Sequence, residues 1–431
     1  MDLSTVRDVA AATPATRNRV VDLLRAAAIV VVVLGHWLMA AVTVRGGELV
    51  PGHLLGLAPW AHPLTWVFQV MPVFFLVGGY ANALSWRSAR GRGVPYAGWL
   101  RARLRRLLLP VVPLLFAWLV AESVADAAGV AAGTLRTASQ VALVPTWFLA
   151  AYVVVCSMAP ATLWLWERTG WASVVGGVVL ACLVDLVSVG TDRLVVGFAN
   201  YVVVWATVHQ LGYAWLDGRL AGTGRRLLLA AVGAVGAVGL VWAGPYPVSM
   251  VGLDGAAVNN SYPTRVTMLF LGMLQVGVVL ALEPFMARWV QRPRAWTVTV
   301  LLNTRIMTLY LWHLTAMVVV IGGSLLLGGF GLGVEPLSPL WWATRPLWWA
   351  VLALVTAGFI AVFGWFETPR ADTSPPLPTW LPVVVTLLAC GGLGFLAAQG
   401  IVAADGVHCW WPLMVVGAVG LLRLPVQTRR G

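Results

Sequence analysis

Apolar runs long enough to cross a bilayer, about 17 to 25 residues each, recur along almost the whole chain. They fall near 20–43, 64–84, 107–126, 141–163, 171–189, 194–216, 227–244, 265–282, 299–327, 346–366 and 381–403, with a shorter run near 410–423. In hydrocarbon every backbone N–H and C=O must be satisfied within the protein, which leaves helices as the economical solution for runs of this length. The expectation is an all-α polytopic membrane protein. Composition agrees: with 60% hydrophobic and 10% charged residues, there is too little polar surface to cover a soluble globule of this size. The first run is too long for a signal-peptide core and no small-residue cleavage site follows it, so a retained first span is expected.

The basic residues decide the orientation. All 28 are arginine, a bias expected of a high-GC bacterial genome. With twelve spans and the N-terminus inside, 23 of them fall on cytoplasmic segments or inner helix ends, and five (Arg45, Arg136, Arg193, Arg265 and Arg345) fall on the opposite side. Cytoplasmic loops collect arginine and lysine, so both termini are predicted to be cytoplasmic, in a bacterial cytoplasmic membrane. The net charge of +12 is then a topological signal and implies no nucleic-acid partner.

Extramembrane stretches are short, and the one near 367–380 is Pro-rich (Glu367-Thr-Pro-Arg-Ala-Asp-Thr-Ser-Pro-Pro-Leu-Pro378). This divides the chain into a ten-helix membrane domain over 1–367 and, over 368–431, a linker with a C-terminal two-helix hairpin. The four cysteines (Cys156, Cys182, Cys390 and Cys409) show no Cys-x-x-Cys spacing, and neither a disulfide framework nor a metal site is indicated. The 24 tryptophans gather at span ends as an aromatic belt. Gly233, Gly236 and Gly239 suggest close helix packing.

Ionisable groups within spans are costly and mark candidate functional sites. Arg25 and His36 are eleven residues apart, which places both on one helix face, with His36 about 16 Å deeper than Arg25. His36 suits a general base or an acyl carrier, and equally a buried histidine bonded to a neighbouring helix. Asp22, three residues before Arg25, is placed to hold its guanidinium by an ion pair. It lies too far along the helix to orient the imidazole. A carboxylate partner for His36 would come from elsewhere, and Glu122 or Asp185 reaches a comparable depth; either is also readable as an interfacial residue. Arg103 and Arg106, three apart at the inner mouth of the third span, suit a phosphate-rich ligand through bidentate guanidinium bonds, or serve only as topology anchors. His209 reads as an interhelical contact. His53, His62 and His408 are assigned no role.

Several segments resemble the acyltransferase 3 family of bacterial integral-membrane acyltransferases, which modify surface glycans, lipids and secreted metabolites. They are Arg19-Val-Val-Asp-Leu-Leu-Arg25 running on to Gly35-His36, Met71-Pro-Val-Phe-Phe-Leu-Val-Gly-Gly-Tyr80, Arg101-Ala-Arg-Leu-Arg-Arg-Leu107, Thr146-Trp-Phe-Leu149 and Leu309-Tyr-Leu-Trp-His313. They occur in the family's order over roughly residues 19–367. One departure is Val77-Gly78-Gly79, where the family's pattern has Ser-Gly.

The resemblance implies that His36 is catalytic. It further implies that Arg103, Arg106 and Arg25 bind the phosphates of an acyl-CoA, acetyl-CoA foremost, without a metal. Tyr310, His313 and Trp147 would lie near acceptor or donor. The implied reaction moves an acyl group from cytoplasmic acyl-CoA to a hydroxyl of a glycan, glycolipid or metabolite, O-acetylation of polysaccharide being the simplest case. A proton-coupled secondary transporter or flippase is the alternative, although neither repeated halves nor broken mid-membrane helices stand out in the sequence.

Overall fold

The computed structural model describes residues 3–14, 16–46, 48–252, 255–256, 258–368, 377–403 and 406–423. Arg370, Arg429, Arg430 and the centre of the Pro-rich linker lie outside the described residues. Among the described residues the protein is helical almost throughout, and four strands form two short hairpins, 43–45 with 48–50 and 402–403 with 406–407. Among the same residues ten helices are long and apolar enough to cross a membrane. An eleventh is the pair Val266–Ala281 and Glu283–Val290, bent by 54°. Pro284, at the start of the second member, has no N–H with which to continue the first. Trp410–Leu421 has 12 residues, about 18 Å at the helical rise, shorter than the ~30 Å hydrocarbon core.

The chain divides into two compact units: Met1–Gly35, His53–Arg87 and Met158–Thr304 form the first, and His36–Gly52, Ser88–Ser157 and Arg305–Gly431 form the second. The first unit has a core of Leu76, Val77, Trp166, Leu211, Tyr213, Val276 and Leu280. Since lipid is as apolar as leucine, such helices associate through close packing and polar contacts. Glycines allow the closest approach. A Cβ on Gly79 would lie 1.9 Å from the His209 carbonyl oxygen, and one on Gly212 would lie 2.3 Å from that of Leu76, so Met71–Gly91 and Asn200–Leu216 cross backbone to backbone. Gly79, the glycine that matches the family pattern, is thus a packing point. Gly233 and Gly236 likewise seat the 223–243 helix against Phe270 and Leu274. Gly239 meets nothing within 4 Å and plays no such part.

In the second unit, Ile306–Leu326 packs on Ala132–Leu143 and on Pro339–Phe363. The C-terminal helices pack on each other where Gly392 meets the Trp411 carbonyl and the Val415 side chain. The apolar run read as 299–327 is not one helix. Pro293–Thr304 ends, Arg305 adopts φ −132° and ψ 27°, and a new helix begins at Ile306. The apolar residues continue across the break, so hydropathy alone hides it.

Candidate active site

Two histidines distant in sequence meet in the second unit. His36 Nδ1 lies 2.8 Å from His313 Nε2. Their rings are 6° from parallel with centroids 5.1 Å apart, which with so short an N···N distance describes edge-to-edge rings sharing an in-plane N–H···N bond. His313 is fully buried, whereas His36 retains partial exposure.

The next contact sets the protons. His313 Nδ1 lies 2.6 Å from the Tyr310 carbonyl oxygen, one turn back on the same helix. A carbonyl only accepts, so Nδ1 of His313 carries the hydrogen. In a neutral ring Nε2 is then a bare acceptor, and the hydrogen between the rings belongs to His36 Nδ1. Neutral His36 is left with its lone pair on Nε2. That nitrogen can take a proton from a hydroxyl, and the imidazolium formed would keep its Nδ1–H bonded to His313.

The surrounding residues fix both rings. Trp37 Nε1 donates to the His313 carbonyl at 3.0 Å, and Trp118 Nε1 donates to Thr315 Oγ1 at 3.0 Å. Tyr310 is buried, and its hydroxyl donates to the Pro145 carbonyl at 2.6 Å. The phenol therefore ties the Ile306–Leu326 helix to the start of Pro145–Thr169. Phe148, more than Trp147, contacts it: the Phe148 and Tyr310 rings are edge-on at 5.6 Å, and Trp147 stands edge-on to Phe148 at 6.2 Å.

The arginines of the 101–107 motif lie on the Tyr96–Leu108 helix of the same unit. Arg106 is exposed, while Arg103 is half-buried with its guanidinium over the Trp99 ring, 5.6 Å from the centroid. Arg101 is buried, a guanidinium that the spacing argument passed over. Two forks three residues apart, one steadied on an aromatic face, suit an oxyanion with several oxygens.

In the first unit, Asp22 is buried and accepts from Arg17 Nε at 2.6 Å and Arg17 Nη2 at 2.9 Å. Its contact with Arg25 is longer, 3.5 Å. The expected Asp22–Arg25 ion pair is therefore present, and Arg17, whose side chain folds back over the helix start, adds two shorter bonds to the same carboxylate. These bonds raise the pKa of Arg17 further, against the lowering effect of its partial burial.

The suggested carboxylate partners of His36 are corrected. Asp185 is buried and taken up by its own neighbours: Asn200 Nδ2 at 2.9 Å, the Val266 N–H at 2.7 Å, Tyr246 Oη at 3.2 Å and Arg265 Nη1 at 3.3 Å. Glu122 is buried with no hydrogen-bond partner for either oxygen among the described residues. The ring partner of His36 is His313. His209 bonds Asn82 at 3.1 Å and Tyr213 at 3.0 Å, an interhelical polar contact. Among the described residues no three His, Cys, Asp or Glu side chains gather as a metal site.

Sequence reasoning singled out His36 and His313 without joining them, since no spacing rule relates residues 277 apart. The Leu309-Tyr-Leu-Trp-His313 motif was the available signal. Trp37, Trp118 and Thr315 had none, because tryptophan and threonine in a span usually mean packing.

No curated protein and no solved structure matches the chain significantly. A family model described as an acyltransferase domain matches residues 18–365, which takes in both histidines and Arg25, Arg101, Arg103 and Arg106. The chain is a multi-pass membrane protein belonging to the acyltransferase 3 family.

Proposed function

We propose that this acyltransferase moves an acyl group, acetyl in the simplest case, from cytoplasmic acyl-CoA to a hydroxyl of a glycan, glycolipid or secreted metabolite. The observation behind this reading is the chain from His36 Nδ1 through His313 to the Tyr310 carbonyl, which leaves His36 Nε2 as the basic atom. The acceptor oxygen attacks the thioester carbonyl carbon as its proton passes to His36 Nε2. A C–O bond forms and the C–S bond breaks. The proton then goes to the departing thiolate, and His36 is neutral again. Such general-base action is worth about 10²–10⁴-fold in rate.

Arg103 and Arg106 are proposed to hold the donor's phosphates, with Trp99 steadying Arg103. Arg25 shares a helix with His36 and is proposed to add positive charge at its inner end. Membrane lipid is proposed to surround the spans, and the arginine asymmetry supports a cytoplasmic N-terminus in a bacterial cytoplasmic membrane.

Mass spectrometry of surface glycans and extractable metabolites from a deletion strain tests the reading. One acyl mass should disappear, return with the wild-type protein, and stay absent with His36→Ala at equal protein level. A transporter would instead change where a compound accumulates and leave its acylation intact, which would refute the assignment.

A further inference from the structure

Glu367 holds the start of the helix that carries His313. It ends the Gly364–Glu367 turn after the Pro339–Phe363 helix and reaches the start of the helix that carries His313. Glu367 Oε1 accepts from the Met307 N–H at 3.0 Å, and Oε2 accepts from the Thr308 N–H at 3.1 Å and the Thr308 hydroxyl at 3.0 Å. The first N–H groups of a helix have no partner within it, and Arg305 at this boundary provides no side-chain cap. A carboxylate from another element does so, on the positive end of the helix dipole.

The turn is shaped for this contact. A Cβ on Gly364 would lie 2.8 Å from Arg305 Cδ, so only glycine lets the Arg305 side chain run across the turn, and Arg305 Nη1 reaches Thr368 Oγ1 at 3.4 Å. His313 is six residues beyond Met307, about 9 Å along the axis. Any slip of the helix at Met307 therefore moves the His313 ring by the same amount, against a 2.8 Å bond to His36.

We propose that Glu367 is a positioning residue: it fixes the axial register of the His313 helix. This rests on the reading of His36 and His313 given above. Glu367→Gln removes the charge and one of the two accepting oxygens. A shift of a few tenths of an ångström at the histidine pair follows.

The test uses full-length protein in nanodiscs, acetyl-CoA as donor and an envelope extract of the host as acceptor pool. Thiol release is normalised to folded protein, and acetyl-CoA affinity is measured separately. Glu367→Gln should lower the rate constant about tenfold and leave acetyl-CoA affinity within twofold. Glu367→Asp, which keeps the charge on a shorter side chain, should recover part of the rate. Thr308→Val deletes one bond and should lower the rate a few-fold with an unchanged thermal midpoint; it carries the test if Glu367→Gln does not fold. A merely structural role would lower the midpoint and leave rate and affinity per folded molecule within twofold of wild type, which overturns the proposal. His36→Ala in the same assay separates the two ideas. If it stays active the histidine reading fails, and if it is dead while the Glu367 and Thr308 variants match wild type, only the positioning role fails.

Discussion

His36 Nδ1 and His313 Nε2 are 2.8 Å apart, and with the Tyr310 carbonyl on His313 Nδ1 this contact decides which nitrogen of neutral His36 keeps its lone pair. In the proposed mechanism His313 would do for His36 what a carboxylate does in many hydrolytic sites: hold one tautomer and steady the imidazolium. A neutral partner suits a site within the membrane, where a second full charge would be costly to desolvate.

His313→Gln can still accept from His36 Nδ1 through its amide oxygen, while His313→Leu cannot. The glutamine variant should lose about tenfold in transfer rate and the leucine variant about 100-fold or more, the cost of leaving a buried N–H without its acceptor. Equal losses in acyl transfer per folded protein would show that the bond is not what matters at this position.

Arg103→Ala and Arg106→Ala should each weaken acetyl-CoA binding by about 10-fold or more, as expected for losing a hydrogen bond to a charged group. Arg103→Lys should recover only part of it, since ammonium keeps the charge and lacks the planar fork. Titration of purified protein with acetyl-CoA and with dephospho-CoA measures both effects. Unchanged affinities would leave these arginines as topology anchors.

Asp217 predicts an acid limit to stability outside the spans. Burial pushes its carboxyl up, but bonds from Arg87 at 2.5 and 3.2 Å and from Trp166 at 2.8 Å, with the charges of Arg87 and Arg219, leave it below the ordinary range. A folded-state pKa below the unfolded one stabilises the protein above the unfolded value, near 3.8, and that contribution is lost as pH falls through the folded value. Thermal midpoints should therefore fall below about pH 4 more steeply in wild type than in Asp217→Asn. Parallel curves would contradict this.

Gly212→Ala should destabilise the first unit by about 2 kcal/mol or more, because its Cβ would meet backbone on the facing helix that cannot retreat as a side chain can. Gly239→Ala, facing open space, should have no such cost. Thermal unfolding in detergent compares them directly.

Much of this architecture is legible in the sequence because hydrocarbon permits few backbone solutions. Ten of the apolar runs appear as helices long enough to span, and the eighth as a bent pair. The break at Arg305 was not legible, since one residue's change of φ leaves hydropathy unaltered. The Arg25–His36 spacing is a property of one helix and could be read directly. The His36–His313 bond depends on how two helices pack, as does the engagement of Asp185 by Arg265 and Asn200, and neither leaves a periodic trace. Glu367 looked like the edge of a linker, and its role depends on reaching the start of a helix that the run 299–327 concealed.

The most direct measurement is thiol release from acetyl-CoA by purified wild-type and His36→Ala protein at equal folded concentration, with envelope extract as acceptor pool. The account predicts that His36→Ala loses at least about 100-fold in rate while acetyl-CoA still binds with near wild-type affinity. Rapid quenching before acceptor is added should leave no acyl label on wild-type His36, as direct transfer requires. Wild-type transfer rates in His36→Ala would contradict the central claim, and a trapped acyl-His36 would replace the general base with a covalent carrier.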